Sequence, residues 1–176
     1  MPMRGFLDAL YKASGALAAA FIALICVVVS AQVVLNLITK LFGTAYSYTI
    51  PSYADFAGFF LASASFLALA YTLTQGGHIR VTLLIRTFNP AFRMAAELFS
   101  LGIGAVLSGI ATYYMIRLNI ESYSYGDLSF GIIAIPIWIP QLAVSLGLVI
   151  LTIAFVDLLW STIRAGEPVL KNAETE

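Results

Sequence analysis

Four long apolar segments, separated by shorter polar stretches, dominate the chain. They run from about Ala13 to Thr39, Tyr53 to Thr74, Ala91 to Leu118 and Gly131 to Trp160. A helix that crosses a hydrocarbon core of ~30 Å needs about 20 mostly apolar residues, so each segment predicts a transmembrane helix. Before them, Phe6, Leu7, Leu10 and Tyr11 follow i, i+3, i+4 spacing while Arg4, Asp8 and Lys12 share the opposite face. That pattern predicts an amphipathic helix over residues 1–12, lying in the membrane interface and turning into the first span. Between spans two and three, Val81–Phe88 is apolar but too short to cross, and Asn89-Pro90 stops it. A second, short interfacial helix is expected there, with Arg80 and Arg86 reaching toward headgroups. Val29-Ser30-Ala31 loosely resembles a signal-peptide cleavage site, but the apolar run continues past it, so this stretch is read as helix. The expectation is an all-α integral membrane protein with four transmembrane helices, a single membrane domain over residues 1–176 whose last residues, 161–176, form a polar tail.

The polar and small residues refine this picture. Gln32 and Asn36, one turn apart near the far end of the first span, either bond across to another helix or rest in the headgroup region. Pro51-Ser52 marks the start of the second span, and Asp55 in its first turn favours the positive end of the helix dipole. Ala54, Ala57, Gly58, Ala62, Ser63, Ala64, Ser65, Ala68 and Ala70 make that helix suited to close packing on more than one side. Arg93 and Glu97 are spaced to pair on one face of the third span. Gly102, Gly104, Ala105, Ser108, Gly109 and Ala111 give that span a small-residue face. Residues 119–130, with Glu121, Tyr123, Tyr125 and Asp127, are expected as an exposed, tyrosine-bearing loop. Pro136 and Pro140 flank Ile137-Trp138-Ile139 at the start of the fourth span, which puts Trp138 in the aromatic belt.

Composition agrees: 61% of the 176 residues are hydrophobic and 10% charged, and mean hydropathy is +0.95. A soluble domain carries about 25% charged residues. Arg4, Lys12, Arg80, Arg86, Arg93, Arg164 and Lys171 fall on one side of the predicted spans, against Lys40 and Arg117 on the other. By the positive-inside rule both termini are expected in the cytoplasm.

Several kinds of chemistry are excluded. Cys26 is the single cysteine, so there is no internal disulfide and no CxxC pair. One histidine cannot supply two axial ligands to a haem, and no cofactor or metal site is expected. No GxSxG, HExxH or P-loop motif occurs, and no enzyme activity is expected. Asp55, Glu97 and Asp157 lie near span ends rather than deep in a span, where a proton relay would need a carboxylate. Inverted repeats and helices broken at mid-membrane depth, common in secondary transporters, are missing.

The polar elbow Gln75-Gly76-Gly77-His78-Ile79-Arg80-Val81-Thr82 holds the only histidine. Its glycines let the backbone leave the preceding helix. With Leu83-Leu84 following, with Asp8, with Asp55 opening the second span, and with Pro136-Ile-Trp-Ile-Pro140 opening the fourth, it resembles the small membrane subunit (DctQ type) of TRAP transporters, the tripartite ATP-independent periplasmic transporters. The sequence departs from that pattern at Thr82, where aspartate is frequent, and at Asp55, where glutamate is usual. The resemblance implies a small permease subunit in the bacterial inner membrane, partnered by a large multi-span subunit that carries the substrate and sodium sites. A periplasmic binding protein would deliver an organic acid to that pair for symport. The small subunit would be a scaffold, fixing the static wall of an elevator-type transporter. Gly77, His78, Arg80, Arg86 and Asp55 become candidate anchors to that large subunit or to phospholipid headgroups. Glu121 and Asp127 become candidates for docking the binding protein. The rival reading is a self-sufficient homo-oligomeric small transporter or channel, with Gln32, Asn36 and Glu97 lining its path.

Overall fold

The computed structural model describes residues 2–43, 48–75 and 89–165, and these fold into four helices. They are α1 (Pro2–Phe42), α2 (Tyr53–Thr74), α3 (Pro90–Tyr125) and α4 (Trp138–Ala165). All four are long and apolar enough to cross a membrane. Among the described residues there is no strand, only an isolated bridge between Leu128 and Pro136.

The helices form an open row in the order α1, α2, α4, α3, with a slight further contact of α1 on α4. α2 and α4 are the inner members, and the core of buried residues lies mainly along them: Leu67, Ala70 and Leu73 of α2 with Val144, Leu148, Leu151, Ala154 and Leu158 of α4. α1 and α3 each turn much of their apolar surface outward. On α1, Val27, Val33 and Leu37 are exposed, and on α3 Phe99, Val106 and Leu107 are. Helices that are apolar nearly all round suit a lipid solvent, which accepts such faces without penalty.

Small residues set the spacing of the row. Gly147 of α4 lies against the α2 backbone, where a Cβ would fall 2.6 Å from the carbonyl carbon of Phe66. Gly104 of α3 receives the ring of Phe155 from α4, and Gly15 of α1 receives Tyr71 from α2. Hydroxyls in the spans bond back to the preceding turn, as Ser63 does to the Phe59 carbonyl and Thr152 to that of Leu148, so few polar groups face lipid unsatisfied.

Several boundaries differ from the sequence-based expectation. The amphipathic arm is not set off by a turn; from Pro2 it is the first turns of α1 itself. α3 continues seven residues past Leu118, so Glu121, Tyr123 and Tyr125 stand on a helix instead of a loop. The stretch is polar because it leaves the apolar layer, yet nothing in it breaks a helix until Gly126, whose φ of 68° ends α3. α4 starts at Trp138, seven residues later than expected. Pro136 lacks a donor and disfavours a helical conformation at Ile135, whereas Pro140 is tolerated in the first turn, where its N–H would have no intrahelical partner. The elbow and the short interfacial helix after it lie outside the described residues.

Candidate functional site

Among the described residues no three His, Cys, Asp or Glu side chains gather as a metal site would require. Polar structure collects instead at the two ends of the helix row.

At one end the chain leaves α1 through Gly43 (φ 88°) and re-enters the row at Ser52. Gln32 is 3% exposed. Its amide nitrogen donates to Asn36 Oδ1 at 2.8 Å, while its oxygen accepts from the Ile50 backbone N–H at 2.8 Å. It therefore pins the incoming loop to α1. Ser52 precedes α2 with φ 55°, a left-handed conformation uncommon outside glycine and asparagine. Its hydroxyl does not cap its own helix; it accepts from the Ile133 backbone N–H at 2.9 Å. Gly131 sits directly over this corner, and a Cβ there would fall on the Asp55 carboxylate and 2.6 Å from Ser52 Oγ.

The loop between α3 and α4 is thereby drawn across α4 to the start of α2. It is closed on itself by Ser129 N–H to the Ile135 carbonyl (2.8 Å) and by Ile137 N–H to that of Asp127 (3.0 Å). Ile135 N–H donates to Ser129 Oγ at 3.0 Å. Asn119 of α3 donates to the Trp138 carbonyl at 3.1 Å, which ties the two helices at the foot of the loop. Tyr123 and Trp138 meet edge to face with ring centroids 5.6 Å apart.

At the other end the buried Tyr11 hydroxyl donates to Asp157 Oδ2 at 3.4 Å, joining α1 to α4. The Ser14 hydroxyl donates to the Leu67 carbonyl at 2.6 Å, joining α1 to α2. Arg4, Lys12, Arg93 and Arg164 share this end, and the Arg164 guanidinium lies 5.2 Å from the Trp160 ring centre.

The residues singled out from the sequence are distributed as follows. Asp55 stands in the first turn of α2 beneath Gly131. Glu121 is exposed on the last turns of α3, and Asp127 is exposed just beyond Gly126, with its amide bonded to the Ser122 carbonyl. These two share the loop end of α3, with Asp55 at the same end of the row. Gly77, His78, Arg80 and Arg86 lie outside the described residues. Arg93 and Glu97 are half-buried near the start of α3, and Cys26 is exposed on α1. Sequence reasoning passed over Ser129 and Asn119 and did not foresee the cross-row roles of Ser52 and Tyr11. Their partners are backbone groups or distant side chains that no local pattern announces.

Residues 25–165 match the family model described as "Tripartite ATP-independent periplasmic transporters, DctQ component". No curated protein and no solved structure matches the chain.

Proposed function

The chain belongs to the DctQ-component family of tripartite ATP-independent periplasmic transporters, and we propose that it is the small, non-catalytic scaffold subunit of such a transporter. In this reading a large multi-span subunit carries out sodium-coupled uptake of an organic acid that a periplasmic binding protein delivers. The observation that supports it best is the open row. Four helices in an open row leave broad apolar faces on α1 and α3 for a larger membrane partner.

The fate of Gln32 argues against a self-sufficient channel or transporter. Both ends of its amide are committed, to Asn36 and to the Ile50 backbone, so it is not free to line a path. We place the chain in the bacterial inner membrane with both termini cytoplasmic, because Arg4, Lys12, Arg93 and Arg164 share one end of the row and Lys40 and Arg117 the other. Under that orientation Glu121 and Asp127 face the periplasm, where they would contribute to docking the binding protein. Gly77, His78, Arg80, Arg86 and Asp55 are the anchoring candidates toward the large subunit or lipid headgroups.

The test is recovery of the tagged chain from native membranes in mild detergent, followed by mass spectrometry. A stoichiometric multi-span partner is the expected result. Recovery of this chain only, as a defined oligomer, would overturn the scaffold reading. Replacing His78 and Arg80 by alanine should lower recovery of the complex, and unchanged recovery and transport would remove them as anchors. Charge reversal at Glu121 and Asp127 should weaken docking; unaltered affinity would dismiss that surface.

A further inference from the structure

We propose that the loop between α3 and α4 is an interfacial membrane anchor. It would seat Phe130 and Ile132 at the boundary of lipid headgroups and acyl chains on the Ser52 side of the bilayer. The inference rests on the four helices crossing a membrane and not on the transporter role.

The first observation is the alternation of the loop. Ser129, Ile133, Ile135 and Ile137 turn their backbone donors inward, to the Ile135 carbonyl, Ser52 Oγ, Ser129 Oγ and the Asp127 carbonyl respectively. Gly131 is pressed onto Ser52 and Asp55. The intervening side chains therefore point away from the protein: Phe130 is 104% exposed and Ile132 86%. The loop is fixed in place by these bonds, so the two side chains are displayed and not merely left over.

The second observation is depth. α2 has 22 residues, and at 1.5 Å per residue it is ~33 Å long, close to the hydrocarbon thickness of ~30 Å. Its first turn thus lies at the headgroup boundary, and so does Gly131, which packs on that turn. Phe130 and Ile132 flank Gly131 and share its level. Trp138 and Tyr123, in contact at the foot of the same loop, are the residue types that mark this level in membrane proteins.

The third is composition. From Leu128 to Val156 no residue is charged, so the tip's own side chains are all uncharged; the nearest carboxylates are Asp127, where the loop begins, and Asp55 beneath Gly131. A tip of two large apolar side chains, with half its backbone donors paired internally, suits a lipid boundary: its apolar groups enter acyl chains while its remaining amides reach hydrated headgroups.

The test places single cysteines at Phe130→Cys, Ile132→Cys or, for reference, Tyr125→Cys in a Cys26→Ser chain. Each is spin-labelled in the full complex and reconstituted in phosphatidylcholine nanodiscs. Collision with lipid-dissolved oxygen is then compared with collision with a water-soluble nickel chelate. Tyr125 ends α3 six residues past Asn119, which is level with Trp138, and so stands ~9 Å beyond that level. The expected result is an oxygen-to-nickel ratio several-fold higher at positions 130 and 132 than at 125. A nickel-dominated ratio at 130 and 132 would put the tip in water and overturn the proposal. Suppression of both collisions would mean that a protein partner covers it, and would overturn it equally.

Discussion

Replacing Gly147 by alanine should separate α2 from α4. The added Cβ would fall 2.6 Å from the Phe66 carbonyl carbon, 2.7 Å from its oxygen and 2.9 Å from the Leu67 nitrogen. Carbon atoms settle at about 3.5–4.0 Å, so the helices must part by about 1 Å at this point. Backbone atoms cannot rotate aside as a side chain can. A gap of that size forfeits roughly a quarter to a half of each dispersion contact along the seam, and the seam includes Leu67, Val144, Leu148 and Leu151. Overpacking costs ~1–3 kcal/mol, and the upper part of that range is expected here because close approach at small residues is a main source of helix association in lipid. Alanine also favours a helix over glycine by up to about 1 kcal/mol. That gain is shared by Gly58→Ala and Gly102→Ala, whose Cβ atoms would meet open space, so these variants are the proper reference. Gly104→Ala should fall between, since its neighbour is the outer edge of the half-exposed Phe155 ring, which can swing away. The assay is a heat-step series on the detergent-solubilised chain fused to a fluorescent protein, read as the monodisperse fraction by size exclusion. If Gly147→Ala lost its folded form at the same temperature as Gly58→Ala, the backbone-to-backbone account of the α2–α4 seam would be refuted.

Other perturbations test the loop end of the row. Ser52→Ala removes the acceptor for Ile133 N–H and leaves a β-carbon at positive φ, so it should cost ~1–3 kcal/mol; Ser52→Gly should cost less, because it relieves the backbone term. Hydrogen exchange of the peptide covering 131–135 should quicken in both, and equal rates in wild type and Ser52→Ala would discount the Ser52 tie. Gln32→Leu cuts the bond to Ile50 and should cost ~1–2 kcal/mol, seen as faster exchange at residues 48–50 with α2 unaffected. Thr112→Val removes the 3.0 Å contact with the Thr152 hydroxyl and should cost about 0.6 kcal/mol, since Thr152 keeps its bond to the Leu148 carbonyl. A drop in thermal midpoint as large as that of Gly147→Ala would contradict that ranking.

The four spans were legible because membrane solvent imposes a plain rule: a helix must carry about 20 apolar residues to cross. The small residues of α2 also foretold a helix with neighbours on two sides. The two ends of α4 and α3 were less legible. Apolarity continued from Leu128 into α4, so nothing in hydropathy separated a lipid-level loop from the helix after it; only Pro136 hinted at the break. Polar residues after Leu118 looked like a loop because leaving the membrane and leaving the helix often coincide, yet α3 does the first without the second. Gln32 was noticed for its polarity, but one of its two partners is a backbone amide 18 residues away. Ser52 looked like an ordinary helix start, and its use by a loop some 80 residues later could not be read locally.

The order of neighbours in the row has a consequence for how the chain is made. α1 and α2 pair as soon as both have emerged from the ribosome. α3 comes next, and its one substantial neighbour is α4, the last helix to be synthesised. Until α4 arrives, α3 has lipid or an insertion chaperone for company, and among the described residues it makes no substantial helix-to-helix contact with the α1–α2 pair. α4 then touches both groups at once and turns two separate pieces into one. A chain cut short before Trp138 would therefore leave a helical hairpin joined to α3 by little more than the Ile133–Ser52 tie, and membrane quality-control proteases should clear it faster than a chain missing only its tail.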